Sequence, residues 1–244
     1  LHRVDRRQRQ MCIRDSLPLI DLYPISDSPP DERERLYHEA ALKNNWPTRP
    51  LRVQQTVRNA RDFVLHTLGH YVGSGVVNEF RRQLQVHPQL RQAKAAMPYL
   101  KDSAPLKEYQ RASGKFTADT LNTEVRHFGR FIAPGQVLFH GGSCRPSEVA
   151  TFVTNKPLST SLCPQIAAWH AYNDLLPAPN PAPAIWILSA PYGNRKAVVY
   201  RKGGAGMEHE QEVLIEAGST ISPTRCFNVR TASANVLVIE ASLS

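Results

Sequence analysis

Apolar residues in the first half of the chain recur at helical spacing, and in the second half they gather in short extended runs. Val53, Val57, Ala60, Val64 and Leu68 repeat every three or four positions and predict one helix, broken by Gly69, Gly73 and Gly75. Val76, Phe80 and Leu84 predict a second helix, stopped near Pro88. Leu90, Ala93 and Met97 predict a third, stopped at Pro98. Pro105 and Gly114 mark a loop. Thr117 can cap a fourth helix, with Asp119 in its first turn and a stripe of Leu121, Val125 and Phe128. Upstream, residues 17–50 are proline-rich and irregular. There, one helix is expected from Asp31-Glu32 to about Asn44, with Pro47 and Pro50 beyond its end.

At Pro134-Gly135 the period changes from helical to extended. Strands are expected at residues 136–139, 184–189, 197–200, 212–216, 225–230 and 235–240, with one short helix at about 164–172 after Ser161. Helices first and strands afterwards predict an α+β arrangement and argue against βαβ winding. The division that follows is an irregular arm over 17–50, a helical region over 51–130 and a strand-rich core over 131–244. Residues 1–16 have no periodicity. Their string RQRQMCIRDS resembles translated adaptor sequence, so the protein proper is expected to start at Leu17.

The 244 residues are 41% hydrophobic, enough for a packed core, and no apolar run approaches membrane-spanning length. No secretory signal is recognisable, so the chain is expected to be cytoplasmic or delivered into a target cell by other means, with no membrane partner. Four cysteines (Cys12, Cys144, Cys163 and Cys226) form no CxxC pair and no zinc spacing with histidine, so free thiols and no metal are expected. The formal charge of +9 suits an acidic or phosphate-rich partner, and it equally suits general solubility because Lys and Arg are scattered.

Three motifs in the second half carry candidate chemistry. Leu138-Phe139-His140-Gly141-Gly142 closes a strand. A histidine there can hold ribose hydroxyls or phosphate, and glycines admit a ligand to the backbone, although His at a glycine turn is also ordinary. Ser159-Thr160-Ser161 ends a strand before a helix, where hydroxyls can hold a carboxylate or simply cap the helix. Glu210-Gln211-Glu212 begins a strand, and alternation would put both carboxylates on one face, where mutual repulsion favours proton transfer. A charged strand edge is the alternative. Before it lies the glycine-rich stretch Arg201 to Gly206.

In this order, over residues 130–244, the three motifs resemble the mono-ADP-ribosyltransferases with an arginine–serine–glutamate signature, a family that includes bacterial and phage toxins. The first landmark departs from that signature: His140 stands where the family has Arg, and LFHGG is similar to the His-Gly motif of poly-ADP-ribose polymerases and diphtheria-like toxins. Arg145 or Lys156 would then take over the phosphate grip. The resemblance implies a split two-sheet ADP-ribosyltransferase fold preceded by a helical region. NAD is implied as substrate, bound in a cleft and not in a Rossmann crevice; no GxGxxG follows a strand here.

It also implies roles for individual residues. Glu212 would stabilise the charge that develops as nicotinamide leaves, Ser159 would orient Glu212, and Glu210 would engage the nucleophile. His140, Gly141 and Gly142 would hold NAD, Thr160 and Ser161 would support the strand-to-helix turn, and Tyr172 or Phe152 would stack on nicotinamide. Glu at position 210 favours a protein arginine as acceptor, with nucleic acid as another choice and an immunity protein as a further partner. Water as acceptor would make the chain an NAD glycohydrolase, and a module that binds nucleotide without turnover is the third reading.

Overall fold

The computed structural model describes residues 16–48, 51, 53–70, 74–111, 114–173, 182–201 and 211–244. The helical half begins with α1 (Glu32–Lys43), which Asp31 caps by accepting the Glu34 N–H while Glu34 returns a bond to Asp31. Next come α2 (Ala60–Gly69), α3 (Gly75–Val86) and α4 (Pro88–Ala95). They are followed by α5 (Ala104–Gln110) and α6 (Ala118–Phe128). Thr117 caps α6, with Asp119 in the first turn.

Two sequence expectations change here. The predicted helix over Val53–Leu68 starts only at Ala60, where Asn59 accepts the Asp62 N–H as N-cap. Val57 instead belongs to a short strand, β2 (Thr56–Val57), paired with β1 (Ile25–Ser26). The apolar spacing fits both states, and the pairing with Ile25 decides for the strand. The second change is that Pro105 sits inside α5 and not in a loop. Proline fits the first turn of a helix, where its missing N–H is not needed, and Ser103 caps that turn.

The N-terminal arm is docked, with Leu17 N–H donating to the Phe131 carbonyl at 2.7 Å. The Gln136 side chain accepts from Ile20 N–H at 2.8 Å, and the Tyr23 ring lies 6.2 Å from Phe63 and 6.1 Å from Phe80.

The strand-rich half contains β3 (Arg130–Phe131), β4 (Gln136–Cys144), β5 (Phe152–Val153) and β6 (Leu158–Ser161). After helix α7 (Pro164–Asn173) come β7 (Ala182–Ala190) and β8 (Lys196–Val199). The chain closes with β9 (Glu212–Ile215), β10 (Thr220–Arg230) and β11 (Asn235–Leu243). The architecture is α+β. The strands run in the order β3-β8-β9-β6-β4-β7-β11-β10-β5, all pairs antiparallel except β7 with β11. Between β6 and β4 the ladder is a single residue pair, Phe139 with Ser161. One sheet therefore behaves as two halves meeting along a narrow line. Leu84, Leu90 and Leu106 of the helices share a buried core with Leu138, Leu188, Leu214 and Ile215 of the strands.

Candidate active site

The described residues of the three motifs converge at the line where the sheet halves meet. His140, Gly141 and Gly142 lie in the middle of β4 and not at its end, since pairing with β7 continues from Gln136 to Cys144. Past Phe139, β4 leaves β6, and the His140 ring occupies the opening: its Nδ1 donates to the Ser159 carbonyl at 2.7 Å. A carbonyl only accepts, so this contact fixes the proton on Nδ1. Ser159 pairs with Leu214 and Ser161 with Glu212, so both serines share the face of β6 on which Glu212 lies.

Glu212 is the centre of the arrangement. The residue is 8% exposed, and burying a charge is unfavourable unless donors replace the lost water. Ser159 Oγ donates to Oε1 at 2.6 Å, Tyr109 OH donates to the same oxygen at 2.9 Å, and Gln110 Nε2 donates to Oε2 at 2.9 Å. Two of these three donors come from α5, in the stretch between Pro105 and Gly114 that reads as a loop in the sequence. Tyr200, one residue past β8, has its hydroxyl closed off from solvent. Burial, and then the negative charge of Glu212, push its phenol well above the ordinary tyrosine range, so it stays protonated.

The supporting residues are local. Thr160 Oγ1 donates to the Val213 carbonyl at 2.6 Å and ties β6 to β9 from the other face. Ser161 Oγ accepts the Cys163 N–H at 3.0 Å, closing the turn into α7. Gly141 has a packing reason: a Cβ there would fall 1.7 Å from the Ala167 carbonyl oxygen, so its glycine lets α7 lie directly on β4. At Gly142 a Cβ would meet nothing closer than His140 Nε2 at 3.7 Å.

A cavity of about 190 Å³ opens at this junction, lined by Tyr109, His140, Gly141, Ser159, His170 and Glu212 among others. That is below the roughly 300–1,000 Å³ of pockets that enclose a drug-sized ligand. The enclosed space is therefore too small to hold a ligand of that size whole. Among the described residues that line the cavity there is no Lys or Arg. A larger cavity, about 720 Å³, also borders Phe139 but contains none of Glu212, Ser159 and His140. Gln136 is bonded to Ile20 there, and Arg61 Nη2 to Glu240 at 2.7 Å. It is the crevice where the arm lies on the sheet.

Several expected residues lie elsewhere. Tyr172 does not line the cavity: it is two positions from His170 on α7, which turns it to another face, and its hydroxyl meets Thr231 Oγ1 at 3.2 Å. Phe152 is on edge strand β5, against Trp186 at 5.8 Å. Arg145 faces Glu148 at 3.6 Å and Lys156 is exposed; neither lines the cavity. Glu210 and the glycines at 203, 204 and 206 lie outside the described residues. The alternation expected to bring Glu210 beside Glu212 therefore also lies outside the described residues; β9 begins at Glu212, and Gln211 before it has φ +50°.

Tyr109, Gln110 and His170 were not singled out from the sequence. The signal for the first two was Ser103 followed by Pro105, a helix start that delivers Tyr109-Gln110 to its last turn. Among the described residues no group of three or more His, Cys, Asp or Glu could hold a metal ion, and no helix is long and apolar enough to cross a membrane.

No protein-family model matches the sequence, and no curated protein matches it. Solved structures similar to the chain include the ADP-ribosyltransferase Vis of Vibrio splendidus, in complex with an inhibitor, at 15% identity over 89% of this chain and 87% of that one, with a TM-score of 0.36. The toxin C3larvin, an ADP-ribosyltransferase from Paenibacillus larvae, is 12% identical over 65% of this chain and 94% of its own, with a TM-score of 0.40. The C3 exoenzyme of Clostridium limosum is 13% identical over 67% of this chain and 94% of its own, with a TM-score of 0.38.

Proposed function

We propose that the chain is a toxin-like mono-ADP-ribosyltransferase that cleaves NAD, releases nicotinamide and passes ADP-ribose to a macromolecule. The observation that carries the reading is the Ser159–Glu212 contact at 2.6 Å beside a cavity that also holds His140 and Gly141. His140 and Gly141, Ser159 to Ser161, and Glu212, far apart in sequence, line that one cavity.

The chemistry follows from the carboxylate. Breaking the bond between nicotinamide and the ribose leaves positive charge at the ribose carbon, and the departing nicotinamide takes the bonding electron pair. A fixed carboxylate stabilises that charge in a site shielded from water, without reorganising at the moment of reaction. Ser159 holds Glu212 in one orientation, and His140, with its proton fixed on Nδ1, presents Nε2 on the side of Gly142. Glu210 is assigned to the nucleophile on the sequence resemblance, which favours a protein arginine as acceptor. An acidic macromolecule would suit the basic balance of the chain.

Incubation with NAD labelled in its adenylate half and with cell lysate tests this. Wild type should release nicotinamide and label macromolecules, and Glu212→Gln should do neither. Release without labelling would identify a glycohydrolase, binding without release would identify a nucleotide-binding module, and equal labelling by both proteins would overturn the reading.

A further inference from the structure

We infer that Tyr109 and Gln110 are positioning residues for Glu212, so that the helical region is a working part of the site; the inference rests on the reading of Glu212 as the group that meets the reacting ribose. The three donors to the carboxylate approach from two independent directions. Ser159 comes from the neighbouring strand, whereas Tyr109 and Gln110 come from the last turn of α5, more than a hundred positions earlier in the chain. One oxygen is held by Ser159 and Tyr109 together and the other by Gln110. Removing the α5 donors would leave Oε2 without its Gln110 contact and let the carboxyl rotate about Ser159. A carboxylate already held in one rotamer loses less freedom when a substrate hydroxyl arrives.

The same helical region grips the chain at two points ahead of Glu212. Lys94 Nζ donates to Gln211 Oε1 at 2.7 Å. Arg201 Nη1 donates to the Ala95 carbonyl at 2.8 Å, and its guanidinium lies 3.9 Å over the Tyr99 ring. Gln211, at φ +50°, is in the left-handed region, which a non-glycine residue keeps only where its surroundings hold it. Lys94 supplies such a hold one residue before Glu212. The contacts from α4 and α5 thus set both the backbone entering β9 and the carboxylate at its first position.

Tyr109→Phe is the primary test, because it keeps the ring and its 5.5 Å edge contact with Phe116 and removes one oxygen. Gln110→Ala is the second. Each should lower kcat for nicotinamide release roughly tenfold and leave KM for NAD within about twofold, as expected for one lost bond to a charged group, with some loss of thermal stability at neutral pH because the buried carboxylate loses a donor. A readout independent of turnover is carboxyl NMR of glutamate-labelled protein, with the Glu212 signal assigned through Glu212→Gln. In Tyr109→Phe that carboxyl should titrate at higher pH than in wild type, because the lost hydroxyl donates to the charged form. A merely structural tyrosine would not move it. If wild type releases no nicotinamide, the proposed reaction fails and the titration alone decides the positioning role. A Glu212 titration unchanged in Tyr109→Phe overturns the inference, and so does wild-type kcat in that variant of an active protein.

Discussion

Ser159 and Glu212 meet diagonally across a strand pair: Ser159 stands opposite Leu214, yet its Oγ reaches Glu212 Oε1 at 2.6 Å. Diagonal contacts on one sheet face lie within reach of longer side chains, and here the long partner is the glutamate. Ser159→Ala should therefore lower kcat for nicotinamide release roughly ten- to a hundredfold, the range expected for a bond to a charged group. Stability should change little, because Thr160 still ties β6 to β9 through the Val213 carbonyl. Steady-state kinetics alongside urea unfolding would check both halves, and a loss of stability matching the loss of activity would contradict the assignment.

The two glycines after His140 should respond in opposite ways. Gly141→Ala drives a methyl group to within 1.7 Å of a helix carbonyl, so β4 and α7 must separate. Overpacking of this kind costs about 1–3 kcal/mol, and backbone against backbone lies at the upper end. Gly142→Ala meets only ordinary contact and should fold like wild type. Urea midpoints of the two variants, read side by side, provide the comparison.

Ser103→Ala should destabilise by about 1–2 kcal/mol. The Ser103 hydroxyl is buried, caps α5 by accepting the Leu106 N–H at 3.4 Å and donates to Glu124 at 2.5 Å, so truncation also strips a donor from that carboxylate. Hydrogen exchange should show faster opening of α5 ahead of the rest of the molecule. Uniform loosening would point instead to a general packing defect.

Cys163 gives a pH test of burial. It is fully enclosed, and desolvation pushes its thiol from 9 up to about 11. The folded thiol ionises later than the unfolded one, so its contribution is complete below about pH 9 and is lost as pH rises through 11. The total is of the order of 2–3 kcal/mol. Wild type should lose that much more stability than Cys163→Ala over this window. At pH 8 an alkylating reagent should modify exposed Cys226 and leave Cys163 intact until unfolding.

Much of this organisation is legible in the sequence where one physical signal acts alone. Thr117 with Asp119 announces α6, and the apolar run at 184–189 announces β7, because local capping and period suffice. Reading fails where two states share a signal. Val57 fits a helical stripe, and only its partner Ile25, thirty-two positions away, makes it a strand. Pro105 looks like a breaker until Ser103 is recognised as a cap two residues before it. That misreading concealed Tyr109 and Gln110, whose role depends on a contact spanning more than a hundred residues. Tyr172 fails for geometric reasons: a helix spaced at 3.6 residues per turn cannot aim both 170 and 172 at one cavity.

The single rung between Phe139 and Ser161 also divides the sheet mechanically. Force or thermal opening that would be shared among many parallel hydrogen bonds elsewhere falls there on that pair and the His140–Ser159 bond. The two halves should accordingly exchange their amide hydrogens as separate cooperative units. A molecule lodged beside His140 and Glu212 touches both units and acts as a bridge across the gap. Occupancy would then fuse two melting units into one, and amides of β7 and β9, on opposite flanks, would slow together.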